Sequence, residues 1–178
     1  TEFGESRIQE AREKIPVLNS KFSSLKWHMI GHLQTNKASG AAGLFDMIQS
    51  VDSYRVAEKL SAACPGNPKD ILLEIKVSDE QAKFGIAPEA AQEEAGKISL
   101  LPGVRIRGLM AIAPYFDDQK LSAPFFRKAR RVFEELKAKN MPGITMEILS
   151  MGMTGDFEAA IEEGANMVRV GTGIFGRR

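Results

Sequence analysis

The stretch DILLEIKV, residues 70–77, passes almost without interruption through apolar side chains. A run of no more than about eight residues, continuous rather than alternating, reads as a parallel strand covered on both faces. Strands are also expected at KWHMIGHL (26–33), FDMIQSV (45–51), RIRGLMAIA (105–113), TMEILSM (145–151) and NMVRVGT (166–172), all rich in Ile, Leu, Val or Met and several of them near-continuously apolar in the same way. Helices are expected between them: Ser6 to Lys14, part of Ser53 to Ala63, Ala87 to Leu100, Ala123 to Lys139 and Asp156 to Glu163. In SAPFFRKARRVFEELKAKN (122–140) apolar residues recur near i, i+3, i+4 and i+7, and Pro124 suits a first turn. Asp156 opens the last helix and Gly164 follows its end.

Alternating strands and helices imply βαβ units around a parallel sheet. Six strands, with a stub at Thr1 to Gly4, make seven. The G-x-G-x-x-G fingerprint of an open dinucleotide-binding sheet is absent. The expected fold is therefore α/β, a (β/α)8 TIM-type barrel whose first βα unit is missing from this chain. TEFGES, at the start, reads as the end of a strand entering a helix, so further residues are expected upstream. No linker or composition shift divides the chain, and residues 1–178 are expected to form a single barrel domain.

Composition narrows the partners. The 178 residues are 43% hydrophobic and 26% charged, and 24 basic against 23 acidic residues leave a net charge of +1. Charges of both signs interleave, as in KARRVFEELKAK, which reads as a solvated helix face and not as a nucleic-acid footprint. The single cysteine, Cys64, excludes an intramolecular disulfide framework and fits a reducing compartment. No apolar run reaches the ~18 residues of a membrane span, and no signal peptide is visible. A cytoplasmic monomer is the expectation.

A parallel barrel binds ligands where its strands end. Two exits carry the most information, LSMGMTGD (149–156) and RVGTG (169–173). The N–H groups of Gly171, Thr172 and Gly173, beside a hydroxyl, could cradle a phosphate, or the glycines could merely permit a tight turn. Arg169 shares a strand face with Gly171 by period-two alternation. Its partner would be a ligand or an inward carboxylate such as Glu147. His28 and His32 flank Gly31 near a strand exit, where a hydrogen bond to ligand or backbone suits them better than a metal. Met110, Met151 and Met153 read as packing residues. Glu5, Asp52 and Asp79 could reach the barrel mouth or cap helices.

FGES (3–6), KWHMIGHLQTNK (26–37), IQSVDS (48–53), RGLMAIAP (107–114) and LSMGMTGDFEAAIEEGANMVRVGTGIFG (149–176), with the weaker VSDEQAKFGI (77–86), occur in the order found in one family. On these motifs the chain resembles the YggS/PROSC-type pyridoxal 5'-phosphate (PLP) binding proteins, whose barrel is similar to the N-terminal domain of alanine racemase. The resemblance implies PLP as cofactor, with Ser150, Met151, Gly171 and Thr172 at its phosphate and Arg169 at its pyridine nitrogen. Met110, His28 and Ser6 complete the implied cofactor-binding set, although the family commonly shows Asn where Ser6 stands. It implies a role in PLP homeostasis without catalytic turnover, with PLP-dependent apoenzymes as recipients. The family's Schiff-base lysine belongs to a strand upstream of FGES, and Lys37 and Lys83 are motif lysines of other strand exits. A racemase or decarboxylase of the same barrel class is the alternative. A barrel enzyme acting on some other phosphorylated metabolite is a third reading.

Overall fold

A computed structural model describes residues 1–78 and 84–176; Asp79 and Lys83 lie outside the described residues. Seven parallel strands occur among them: β1 (Glu2–Glu5), β2 (Lys26–Met29), β3 (Met47–Val51), β4 (Lys69–Ile75), β5 (Val104–Ala111), β6 (Ile144–Met153) and β7 (Met167–Arg169). They are hydrogen-bonded in sequence order, each parallel to the next. Helices alternate with them: α1 (Ile8–Asn19), α2 (Ala38–Ala42), α3 (Tyr54–Ala63), α4 (Ala91–Ser99), α5 (Ala123–Lys139), α6 (Phe157–Glu162) and α7 (Thr172–Phe175). None of these helices is long and apolar enough to cross a membrane.

Curvature follows from contacts that a flat sheet forbids. At ~4.8 Å per strand, β3 and β7 of a flat sheet would stand about 19 Å apart. Yet Gln49 Nε2 on β3 lies 3.2 Å from Met167 Sδ on β7. Phe3 of β1 and Phe175, beyond β7, bring their rings to 6.5 Å between centroids, so the two edges of the sheet approach each other. Seven strands and their helices form a nearly closed TIM-type barrel.

Two cores result from the period-two alternation of each strand. Ile71, Leu73 and Ile75 of β4 face outward into a large core shared with the helices. Leu72 faces inward and joins Met47 and Met110 in a small barrel interior, with Ile112 and Ile148 at its margin. The continuous apolar run of β4 is thus explained by burial on both faces.

Helix α5 spans the residues its periodicity indicates, burying Phe126, Ala129, Val132, Phe133 and Leu136. It ends at Asn140 in the left-handed conformation, φ 45°. Asn140→Ala is expected to cost about 1 kcal/mol, because a Cβ without a compensating polar group strains this conformation, whereas glycine is accommodated. Urea midpoints of the Ala and Gly variants would show it; equal midpoints would exclude a strained cap.

Some boundaries differ from the sequence reading. Helix α1 continues to Asn19 through Pro16. The cost of the proline is offset by Leu18, which packs on the core, and by Asn19, whose Oδ1 accepts from Trp27 Nε1 at 3.0 Å. Helix α2 was not indicated by the sequence, since its buried residues are Ala38, Ala41 and Ala42 and carry little periodic signal. Strand β6 runs past Met151 to Met153, while β7 ends at Arg169, so Gly171 lies beyond the strand and outside its alternation.

Candidate functional site

Parallel strands place all their C-terminal ends on one rim. A cavity of about 290 Å³ opens there, lined by Ser6, His32, Glu74, Ile112, Met153 and Arg169 among others. A larger groove, about 460 Å³, lies between α5 and the lower half of β6, lined by Phe133, Lys137 and Thr145. It is bordered by Glu147 but by none of the residues predicted to bind the cofactor, whereas the rim carries Arg169 and Ser6.

Arg169 is held there by two hydrogen bonds. Its Nη1 donates to Ser150 Oγ at 2.7 Å and its Nη2 to the carbonyl of Ala111 at 2.9 Å. The carboxylate named as its alternative partner, Glu147, is elsewhere, accepting from Arg107 Nη2. That correction follows from the height of the two side chains. Glu147 lies three residues before Ser150 on β6, whereas Arg169 pairs in register with Met153 at the rim.

From Arg169 a buried relay crosses the barrel. Ser150 donates its hydroxyl to Gln49 Oε1 at 2.7 Å, and Gln49 Nε2 lies 2.8 Å from His28 Nδ1. Read as donation from the amide, that contact makes Nδ1 an acceptor and the imidazole neutral. Burial agrees, pushing the His28 pKa below its ordinary value. The arginine itself is lowered to about 10 by desolvation, opposed by the negative charges of Glu74 and Asp156. It remains a cation at neutral pH. Two of its five N–H donors are engaged in the hydrogen bonds above, so the others are available to a ligand acceptor.

Glycines after β7 do not leave all their N–H groups free. Those of Gly171 and Gly173 donate to Thr154 Oγ1 at 3.1 and 3.3 Å. Thr154 follows β6 directly, so the two exits singled out from the sequence meet here. Having accepted two bonds, its hydroxyl keeps a proton to donate, and no acceptor takes it among the described residues. A Cβ placed on Gly171 would meet nothing within 4 Å, so space lies open beside this turn. A hydroxyl donor, the N–H of Thr172 and a neighbouring guanidinium fit an anionic ligand such as a phosphate.

The remaining candidates are distributed unevenly. Ser6 lines the cavity. Met110 is wholly buried in the barrel interior. Met151 is also wholly buried but belongs to the core shared with the helices, its side chain directed away from Ser150. Thr172 opens α7 beyond the turn. His32 lies past β2, with Nδ1 3.2 Å from Asp52 Oδ2 and its ring stacked on Phe84. Glu5 accepts from Lys14 Nζ at 2.7 Å and Lys37 ends a short 3-10 turn.

Gln49, Glu74 and Thr154 were not singled out from the sequence. A polar residue inside an apolar strand, as in MIQSV and ILLEI, is the signal that could have found the first two. Glu74 is 9% exposed and its pKa is pushed up to about 7, chiefly by burial and then by the charge of Asp52.

Comparison with known proteins gives this arrangement its family. The family described as alanine racemase, N-terminal domain, matches residues 1–178. The pyridoxal phosphate homeostasis protein of Haemophilus influenzae is 43% identical over 180 residues, covering 100% of this chain and 76% of its own. That of Escherichia coli is 38% identical, covering 99% of this chain and 76% of its own. The structure of PipY from Synechococcus elongatus with PLP bound has a TM-score of 0.87 at 38% identity, covering 98% of this chain and 81% of that one. An alanine racemase from Clostridium difficile, 17% identical with a TM-score of 0.75 over 99% of this chain and 44% of its own, shares the fold. By its match to the family and its identity with these relatives, the chain belongs to the pyridoxal phosphate homeostasis proteins, a family built on the alanine racemase N-terminal barrel.

Proposed function

We propose that this chain binds pyridoxal 5'-phosphate at the C-terminal rim of the barrel and serves the homeostasis of that cofactor, without turning over a substrate. The observation that carries the reading is the fixed guanidinium of Arg169, anchored by Ser150 and Ala111 two residues before a turn organised around Thr154. The Thr154 hydroxyl, held by the N–H groups of Gly171 and Gly173, and the N–H of Thr172 suit the phosphate, and Arg169 suits the pyridine nitrogen. Ser6 borders the same cavity, while Ser150 and His28 act on the ligand through Arg169 by way of the relay. Met110 lies in the barrel interior, in register with Glu74 of the cavity wall.

Bound there, the cofactor supplies an electrophilic aldehyde and an electron-withdrawing ring. A cation at the ring nitrogen holds that nitrogen unprotonated and weakens the ring as an electron sink, whereas a carboxylate would strengthen it. Such a site favours keeping the cofactor over demanding carbanion chemistry. Residues 1–178 are read as one barrel domain, acting as a cytoplasmic monomer with PLP-dependent apoenzymes as recipients.

Calorimetric titration with PLP tests the reading. The native chain is expected to bind it in competition with inorganic phosphate. Arg169→Gln is expected to weaken binding about tenfold, the loss of one charge-assisted hydrogen bond. Unchanged affinity in a folded Arg169→Gln chain would remove Arg169 from the site. Racemisation of amino acids by the PLP-loaded protein would overturn the non-catalytic part.

A further inference from the structure

Glu74 is the charged group of the rim that PLP binding leaves without a task. It stands on the inner face of β4, two residues beyond Leu72, and borders the cavity with Arg169. More than nine-tenths of the residue is buried, yet its carboxylate makes no hydrogen bond or ion pair among the described residues. Other charges nearby do not satisfy it. Arg169 is directed to Ser150 and Ala111, and Asp52, at the exit of β3, adds negative charge and is itself paired with His32. Lys76 borders the cavity without bonding to Glu74, and β5 and β6 present Met110, Ile112, Ser150 and Met153. A buried, unpaired carboxylate is costly and calls for a donor. No protein group in the described structure provides one.

We propose that Glu74 is a specificity determinant that recognises a primary ammonium, so that the rim selects the aminated form of the phosphorylated cofactor. The inference rests on the phosphate and ring placement proposed above. It deepens that reading by giving the site two poles. Thr154 and the turn at Gly171 take the phosphate, and Glu74 takes a cationic nitrogen. Pyridoxamine 5'-phosphate carries both, with an aminomethyl group where PLP has its aldehyde. Pyridoxine 5'-phosphate carries a hydroxymethyl group at that carbon and is the neutral comparison.

Selection requires the ionised carboxylate. Because burial and Asp52 hold the Glu74 pKa near about 7, the preference is expected to be present above neutrality and to fade below it.

The test is calorimetric titration of the native chain and Glu74→Gln with both vitamers and with inorganic phosphate, at pH 8 and pH 6. The native chain at pH 8 is expected to favour pyridoxamine 5'-phosphate over pyridoxine 5'-phosphate by about tenfold, the worth of one charge-assisted hydrogen bond. In Glu74→Gln the preference disappears while pyridoxine 5'-phosphate still binds, which also reports an intact fold. At pH 6 the native preference shrinks towards that of the variant. If both vitamers bind the native chain and the ratio of their affinities is the same in Glu74→Gln, the inference fails and the cofactor reading stands. If the native chain binds PLP in the titration above but neither vitamer, the inference fails and the cofactor reading stands; if it binds phosphate but neither PLP nor either vitamer, or binds nothing, the cofactor reading fails and the inference fails with it.

Discussion

Glu74→Gln is expected to be more stable than the native chain at pH 8 by on the order of 3 kcal/mol, and to lose that advantage near pH 5. The carboxyl has a pKa of about 7 in the folded chain against an ordinary value of 4.5. Between those values the folded state keeps a proton that the unfolded state has released. Folding is therefore weakened as pH rises through this window, and the penalty is complete above about pH 7. Each pKa unit is worth about 1.4 kcal/mol. Glutamine fills the same volume without an ionisable group, so its stability lacks this slope. Urea denaturation of both proteins at pH 5 and pH 8 measures the difference; the same offset at the two pH values would mean that Glu74 does not titrate abnormally. A ligand that supplies a cation to Glu74 would relieve the penalty in the native protein alone, which links this result to ligand choice.

Gly108→Ala is expected to destabilise the chain by about 3 kcal/mol or more, enough to compromise accumulation of the folded protein. Gly108 lies within β5 at φ 152°, and a Cβ built there would stand 1.8 Å from the carbonyl oxygen of Ile148 on β6. That neighbour is backbone and cannot rotate aside. The strand pairing is irregular at this point on both sides, between Ile71 and Leu72 towards β4 and between Ile106 and Gly108 towards β6. A methyl group would have to separate two central strands. The consequence reaches the rim, because β5 ends three residues later at Ala111, whose carbonyl accepts from Arg169. Chemical denaturation followed by circular dichroism would show the loss. A variant within about 1 kcal/mol of the native chain would mean that the β5–β6 approach relaxes freely.

Local pattern determined a good deal of this protein. The apolar runs correspond to strands β2 to β7, and the periodicity of residues 123–139 corresponds to α5 at both ends. The parallel barrel follows from those elements, because continuous apolar strands alternating with amphipathic helices need cover on both faces. The motif from Leu149 to Gly176 indicated the family, which the comparisons support along the whole chain. Alanine-lined α2 escaped notice because small buried residues carry little periodicity.

Side-chain partnerships were a different matter. Gln49 and Ser150 are separated by 101 positions, and nothing within either strand announces that one will bond to the other. Arg169 had a carboxylate within the sequence reading, Glu147, but strand register put that residue with Arg107 and gave Arg169 to Ser150. Glu74 looked like one charge in an apolar strand until the curled sheet enclosed it beside Arg169. The alternation of side chains is a property of one strand and can be read along the chain. Which inward residues meet depends on the twist, register shifts and curl of seven strands together, and these exist only once the sheet has folded.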